Sequence, residues 1–149
     1  MRSKPVRTRR RYFHYLVITF FKDGELKIII NKRTGDDIWK NLYDFPLIET
    51  SKRVSKRTLQ GSERWKSIFQ NLSPELGSIS EEFKHTLSHQ IILATFYRIS
   101  LPSEPDPRWK SIPIDDLESI PIPKLISRYV QKYCIHCIPC FLVPLHLIF

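Results

Sequence analysis

The chain has 149 residues, of which 42% are hydrophobic and 12% aromatic, and its formal net charge is +9. This length and hydrophobic content suit one globular domain with its own core and exclude a disordered chain. The basic charge favours a polyanionic partner such as DNA, RNA or an anionic membrane, with plain solubility as the alternative. There is no run of about eighteen apolar residues, so no transmembrane helix is predicted.

The N-terminal residues 1–10 are basic and contain Pro5. We interpret them as an extended arm or linker, which either contacts phosphate or tethers another domain. The apolar segment that follows has no small-residue cleavage site, so we expect no signal peptide. Residues 11–21 are aromatic and β-branched and are predicted to form a strand. The Asp23-Gly24 pair is a strong hairpin signal, so residues 25–32 are predicted to return as its antiparallel partner.

A loop is predicted for residues 34–40 and a short strand for residues 42–49. Because Pro46 has no backbone N–H, this strand should lie at a sheet edge or contain a bulge. Residues 51–61 are polar and basic and are predicted to form a surface loop. Its cations are Lys52, Arg53, Lys56 and Arg57, which either contact phosphate or simply face solvent.

A helix is predicted for residues 62–72, because Ser62 suits an N-cap and the apolar residues recur on one face. The stripe of Trp65, Ile68, Phe69 and Leu72 is interpreted as core. Strands are predicted for residues 81–87 and 90–99. Further along, residues 101–108 form a proline-rich loop, residues 109–113 a short strand, and residues 124–130 a helix that begins after Pro123.

The corner between the two central strands concentrates polar groups in the segment Lys84-His85-Thr86-Leu87-Ser88-His89-Gln90. Two interpretations are open from these residues alone. The corner is either a tight turn with two surface histidines, or a set of hydrogen-bonding groups presented to a ligand at the edge of the sheet.

Residues 134–149 differ in character from the rest of the chain. They hold all three cysteines, Cys134, Cys137 and Cys140, together with an apolar end. A tetrahedral metal site needs about four ligands, and this spacing has no second distant pair, so we favour a hydrophobic tail over a metal site. The absence of cysteine elsewhere fits a reducing compartment.

The order of these motifs resembles the C-terminal domain of MutY-type adenine DNA glycosylases. The segments that carry the resemblance are Arg11 to Val17, Lys32-Arg33-Thr34, Asp37 to Glu49, Phe83-Lys84-His85-Thr86-Leu87-Ser88-His89 and Ile122-Pro123-Lys124-Leu125-Ile126. The resemblance implies an α+β fold, a Nudix-like α/β/α sandwich with a mixed sheet and two main helices. It assigns residues 11–133 to one lesion-recognition domain.

In that family the C-terminal domain recognises 8-oxoguanine opposite adenine, and a separate N-terminal helical domain with an iron–sulfur cluster excises the adenine. The resemblance therefore implies a DNA-repair role, with no catalytic residue, metal or cofactor on this chain. It implies that Ser88 hydrogen-bonds the oxidised base and His89 contacts the phosphate backbone, while Thr86 supports the loop. Leu87 stands where the family most often has Phe, so an apolar wedge replaces an aromatic contact.

The implied partners are duplex DNA with an 8-oxoguanine:adenine pair and the N-terminal glycosylase domain, with no membrane. The expected location is the cytoplasm, in association with the nucleoid. The alternatives are a divergent Nudix hydrolase or a protein-interaction module. The hydrolase is disfavoured because the segment Ser62-Glu63-Arg64-Trp65-Lys66-Ser67 lacks the Arg-Glu-x-x-Glu-Glu pattern that holds Mg²⁺ in such enzymes. The acidic pairs at Asp36-Asp37 and Asp115-Asp116 are interpreted as turn formers.

Overall fold

A computed structural model describes residues 8–133 of the chain. Strand β1 (Arg9–Lys22) and strand β2 (Glu25–Ile29) form an antiparallel hairpin in which Lys22 lies opposite Glu25. The turn residues Asp23 and Gly24 have φ angles of 53° and 75°. Since a two-residue turn with both φ angles positive matches the twist of the strands it joins, the predicted hairpin is confirmed. Its second strand ends at Ile29 rather than at the predicted Lys32. Strand β1 begins two residues before the predicted start, so Arg9 and Arg10 belong to it.

The remaining elements follow in chain order. They are β3 (Asn31–Lys32), β4 (Tyr43–Asp44), β5 (Leu47–Thr50), α1 (Lys56–Gln60), α2 (Glu63–Phe69), β6 (Glu75–Ile79), β7 (Phe83–Thr86), β8 (Gln90–Ser100), β9 (Ser111–Pro113), a 3₁₀ helix (Ile114–Ser119) and α3 (Lys124–Tyr133).

The sheet is built around the parallel pair of β1 and β8, whose register runs from Arg9 opposite Gln90 to Thr19 opposite Ser100. On its other side β1 pairs first with β5 and then with β2, both antiparallel, and β9 lies beyond β2. Strands β7 and β6 both pair antiparallel with the other edge of β8. Strand β7 lies beside the first half of β8 and β6 beside its second half. Strands β3 and β4 form a separate two-stranded sheet. The predicted mixed sheet is therefore confirmed.

Alternation along β1 divides the core into two layers, because successive side chains point to opposite faces of a strand. Phe13, Tyr15 and Val17 belong to a buried cluster that includes Leu125, Ile126 and Tyr129 of α3. Leu16, Ile18 and Phe20 belong to a second cluster that includes Leu59 of α1 and Trp65, Ile68 and Phe69 of α2. Helices thus cover both faces of the sheet, and the α/β/α sandwich is confirmed.

Three local predictions differ from the structure. The strand predicted over residues 42–49 is two strands, β4 and β5, separated by Phe45 and Pro46, because proline cannot donate to a sheet ladder. The loop predicted over residues 51–61 contains α1, whose N-cap Ser55 accepts a hydrogen bond from the Thr58 amide. The edge strand β6 was not predicted, since its sequence is mostly polar. Among residues 8–133, no helix is long and apolar enough to cross a membrane.

Candidate functional site

The corner between β7 and β8 is a tight turn with Ser88 and His89 at its tip. The Leu87 amide donates to the Gln90 carbonyl oxygen at 2.8 Å, which closes the turn. The Arg9 amide donates to the His89 carbonyl oxygen at 3.1 Å, which ties the turn to the start of β1. Two backbone hydrogen bonds from different strands therefore hold the corner in one conformation.

The four candidate residues of this corner differ in exposure. Thr86, Ser88 and His89 are exposed, whereas Leu87 is half-buried and packs against the core cluster beneath α3. Within residues 8–133, the side chains of Ser88 and His89 form no hydrogen bond. Their polar atoms are thus available to a ligand, while Leu87 anchors the turn to the domain.

Arg11 lies directly behind the corner and is 5% exposed. Its guanidinium donates to both carboxylate oxygens of Glu49, at 2.9 and 2.7 Å, and to both of Asp37, at 2.9 and 2.8 Å. It also donates to Oε1 of Gln90 at 3.1 Å. Because Gln90 closes the turn, this clamp joins the corner to β1, to β5 and to the loop that holds Asp37.

The clamp shifts the pKa values of Arg11 and Asp37. The hydrogen bonds that the Arg11 guanidinium donates to Glu49, and then those to Asp37, raise its pKa above the ordinary value. The hydrogen bond from Arg11 in turn lowers the pKa of the Asp37 carboxyl to about 2. Arg11 and Asp37 are therefore both charged across the physiological pH range.

The loop before β4 packs on the same region through Trp39, which has a φ angle of 60°. The Trp39 ring meets the Phe13 ring at 6.3 Å and the His85 ring at 5.6 Å, both edge-on. Asp37, two residues earlier, is the residue that the Arg11 clamp binds. The loop therefore buttresses β7 just before the corner.

The predicted basic segment lies on the same half of the sheet. Arg53 packs 5.3 Å from the centroid of the Tyr12 ring, three residues along β1 from Arg9. Its guanidinium forms two hydrogen bonds with the Glu82 carboxylate, at 2.9 and 2.8 Å. Lys52, Lys56 and Arg57 are exposed and form no ion pair within residues 8–133. Three of the four predicted phosphate contacts are thus unpaired cations.

The acidic pairs have structural partners or face solvent. Asp36 accepts a hydrogen bond from Lys40 at 3.1 Å, and Asp37 belongs to the Arg11 clamp. Asp115 and Asp116 are exposed in the first turn of the 3₁₀ helix. No group of three or more His, Cys, Asp or Glu side chains within residues 8–133 is arranged to hold a metal ion. The cysteine run at residues 134–140 lies outside the described residues.

Sequence reasoning missed the clamp. The sequence patterns predict Arg11 as the first residue of a strand and Asp37 as a turn former, and they do not pair the two residues. An arginine at the start of an otherwise apolar strand was the available signal, because a buried cation needs carboxylate partners.

Comparison with known proteins gives a family and several related folds. The family model described as NUDIX domain matches residues 16–132. The C-terminal domain of mouse MUTYH, solved in complex with human PCNA, superposes with a TM-score of 0.67 at 14% identity, over 93% of this chain and 97% of that one. RenU, a Nudix hydrolase from M. smegmatis, gives 0.57 at 8% identity, over 80% and 81% of the two chains.

The Ap4A hydrolase of C. elegans gives a TM-score of 0.55 at 11% identity, over 84% of this chain and 96% of that one. No curated protein matches the chain. At these identities the structural matches describe the fold alone.

Proposed function

This chain belongs to the Nudix domain family, and we propose that it uses the fold to recognise 8-oxoguanine opposite adenine in duplex DNA. The observation that carries the proposal is the corner at Ser88 and His89. Both side chains are exposed, neither has a partner within residues 8–133, and the backbone beneath them is held by the Arg11 clamp. A site that discriminates between two similar bases needs a loop that is already held in its binding conformation, because ordering the loop on binding would cost free energy.

The chemistry of Ser88 suits the oxidised base. 8-Oxoguanine differs from guanine by an acceptor at O8 and a donor at N7. A serine hydroxyl both donates and accepts, so it can satisfy this edge. In this proposal Ser88 distinguishes the lesion, while His89 donates to a nearby phosphate and positions the strand without reading sequence.

The surrounding residues support these two contacts. Leu87 packs against the core and so fixes the position of the turn relative to the domain. Thr86, beside it, is the last residue of β7. Lys52, Lys56 and Arg57 add phosphate contacts on the same half of the sheet, whereas Arg53 must exchange its Glu82 partner to do so. Excision of the adenine belongs to a separate helical glycosylase domain with an iron–sulfur cluster, and the repair complex acts in the nucleoid of the cytoplasm.

The direct test compares binding to two duplexes that differ only in an 8-oxoguanine:adenine or a guanine:adenine pair. We expect the wild-type chain to prefer the lesion duplex by about two- to tenfold, the range that one net hydrogen bond supplies. Ser88→Ala should remove the preference, and His89→Ala should weaken both complexes equally. Ser78→Ala is the matched control, because Ser78 is exposed on β6 and its side chain forms no hydrogen bond within residues 8–133. Equal wild-type affinity for the two duplexes would contradict the proposal.

The rival function of a Nudix hydrolase predicts a different measurement. Helix α2 contains one carboxylate, Glu63, and so lacks the carboxylate cluster that binds Mg²⁺ and pyrophosphate in such enzymes. We therefore expect no Mg²⁺-dependent release of phosphate from nucleoside di- or triphosphates. Turnover that disappears with a chelator would favour the hydrolase instead.

A protein-interaction role is the second candidate. It is favoured by the match to the mouse MUTYH domain that was solved in complex with human PCNA. Binding of purified PCNA to this chain in the absence of DNA would support it, and deletion of residues 134–149 would show whether the tail contributes. No binding at micromolar concentrations would leave DNA as the partner.

A further inference from the structure

A cleft of about 500 Å³ lies on the α2 side of the sheet, away from the corner. Its walls come from the end of β2, from β3, from the start of β5, from α2 and from the segment that precedes β9. Among residues 8–133, five cationic side chains line it and no carboxylate does. They are Lys32, Arg33, Arg64, Arg108 and Lys110.

Two of these five cations are already neutralised. Arg33 forms ion pairs with Asp44 at 3.1 Å and with Asp37 at 3.2 Å, and Arg108 forms one with Asp106 at 2.6 Å. The other three, Lys32, Arg64 and Lys110, form no ion pair within residues 8–133 and are exposed. The cleft therefore carries a local excess of positive charge.

Two of the unpaired cations, Lys32 and Lys110, lie near the same aromatic ring, that of Tyr43. The Lys32 ammonium lies 5.8 Å from the centroid of the Tyr43 ring, and the Lys110 ammonium lies 4.8 Å from the same centroid. Lys110 also donates to the Tyr43 hydroxyl at 3.2 Å, and this contact lowers the pKa of Tyr43. Since like charges repel and no carboxylate among residues 8–133 lines the cleft, an anion bound near both ammonium groups is favoured.

Trp109 completes the cleft with a half-buried indole next to Lys110. A groove lined by unpaired cations attracts the phosphate backbone of a nucleic acid. Across the cleft, Arg64 projects from α2. The unpaired cations thus stand on opposite walls, as a groove around a strand requires.

The cleft and the corner are separate sites along β1. Pro46, in the cleft wall, accepts a hydrogen bond from the Leu16 amide, whereas the corner is tied to the Arg9 amide. These two positions are seven residues apart on β1, which corresponds to about 23 Å at the rise of a β-strand. One phosphate cannot contact both sites, but a duplex reaches both over about seven base pairs.

We propose that this cleft is a second nucleic-acid site, which binds the sugar–phosphate backbone of DNA through Lys32, Arg64 and Lys110 without reading sequence or lesion. The choice of DNA rests on the proposed lesion recognition. In the bound complex the corner distinguishes the base and the cleft supplies affinity that depends on salt.

The test uses the full chain and a fluorescein-labelled duplex of about 20 base pairs with a central 8-oxoguanine:adenine pair, and its matched guanine:adenine duplex. The cleft variant is Lys32→Gln/Lys110→Gln. The matched control is Lys66→Gln/Lys124→Gln, which removes the same charge from exposed lysines that do not line the cleft. Affinity is measured by anisotropy over a range of salt concentrations, and thermal melts confirm that both variants are folded.

Each lost phosphate contact lowers the slope of log affinity against log salt by about 0.9. The cleft variant should therefore lose about 1.8 of the wild-type slope. Between about 50 and about 200 mM salt, its affinity should fall about twelvefold less than that of the wild type. Arg64→Gln, on the α2 side of the cleft, should lower the slope by about 0.9. The control variant should keep most of the wild-type slope.

The outcomes separate this inference from the proposed function. The cleft proposal is overturned if the cleft variant keeps the wild-type salt slope or loses only as much slope as the control variant. This holds even if the lesion preference is intact. A reduced slope that is specific to the cleft variant supports it. If that loss occurs while the wild type shows no lesion preference, the cleft stands and lesion recognition fails.

Discussion

Replacement of Arg11 by Met tests whether the clamp holds the corner. Methionine keeps an unbranched apolar stem beside the Phe13 ring, whose centroid lies 4.9 Å from the guanidinium carbon of Arg11. The change removes the donor of all five hydrogen bonds of the clamp. Loss of one partner from a buried ion pair costs about 3 to 5 kcal/mol.

The expected cost for Arg11→Met is smaller than this, because the two carboxylates left behind are partly hydrated. The side chains of Asp37 and Glu49 are 39% and 33% exposed, whereas that of Arg11 is 6% exposed. We therefore expect a loss of about 2 to 3 kcal/mol in the free energy of unfolding. For a domain of this size that corresponds to a fall in Tm of about 5 to 10 °C.

The assay is urea denaturation, with Arg53→Met as the matched control. Arg53 also forms two hydrogen bonds with one carboxylate, but its side chain is 62% exposed. An exposed pair of this kind contributes less than about 1 kcal/mol. Arg11→Met should also reduce the preference for the lesion duplex, because Gln90 is no longer held. A loss of less than about 0.5 kcal/mol, or a loss equal to that of Arg53→Met, would refute the role assigned to the clamp.

Other predictions concern titration and local geometry, and urea denaturation checks each of them. Because the folded pKa of Asp37 is about 2 and its ordinary value is 3.8, the stability it contributes is present above about pH 4 and is lost as the pH falls towards 2. Asp37→Asn should flatten this part of the pH profile, and a profile that keeps its wild-type shape would contradict the assignment. Gly24→Ala should cost about 1 kcal/mol, since φ is +75° and no atom lies within 4 Å of an added Cβ. The control Gly35→Ala has equally open space and no positive φ, so a similar loss there would show that the cost is not conformational. Ser62→Ala removes the N-cap of α2, whose hydroxyl accepts from the Trp65 amide at 3.2 Å, and should cost about 1 kcal/mol. Unchanged stability would mean that water replaces this cap.

Local signals explain the parts of the fold that could be predicted. The Asp23-Gly24 pair determines its own turn, and the register of β1 and β2 follows from it. The apolar stripe of α2 begins at Trp65, three residues after the N-cap Ser62, so both the start and the buried face of that helix were available from sequence. Such features depend on residues close together in the chain.

The short elements could not be predicted because their signals are weak. Helix α1 has five residues and one buried side chain, Leu59, so it shows no helical periodicity. Strand β6 is exposed along most of its length and forms through its pairing with β8 rather than through its own composition. Tertiary contacts decide both elements.

The candidate sites divide in the same way. The corner at Ser88 and His89 was visible in the sequence because its polar groups are contiguous. The clamp was not, since Arg11 meets partners that are 26, 38 and 79 residues away in the chain. The cations of the cleft are also dispersed, from Lys32 to Lys110, and only the fold brings them to one groove.

The parallel pairing of β1 with β8 also governs how the domain acquires its site. It joins residues 9–19 to residues 90–100. The conformational entropy of the long intervening chain must therefore be lost before the contacts between these two strands can compensate for it. The β1–β2 hairpin closes through two residues and forms early, whereas the backbone hydrogen bond from Arg9 to His89 forms only when the distant strand arrives. A nascent or partly unfolded chain therefore presents its basic surface without the ordered corner at Ser88 and His89, on which the proposed recognition of 8-oxoguanine depends.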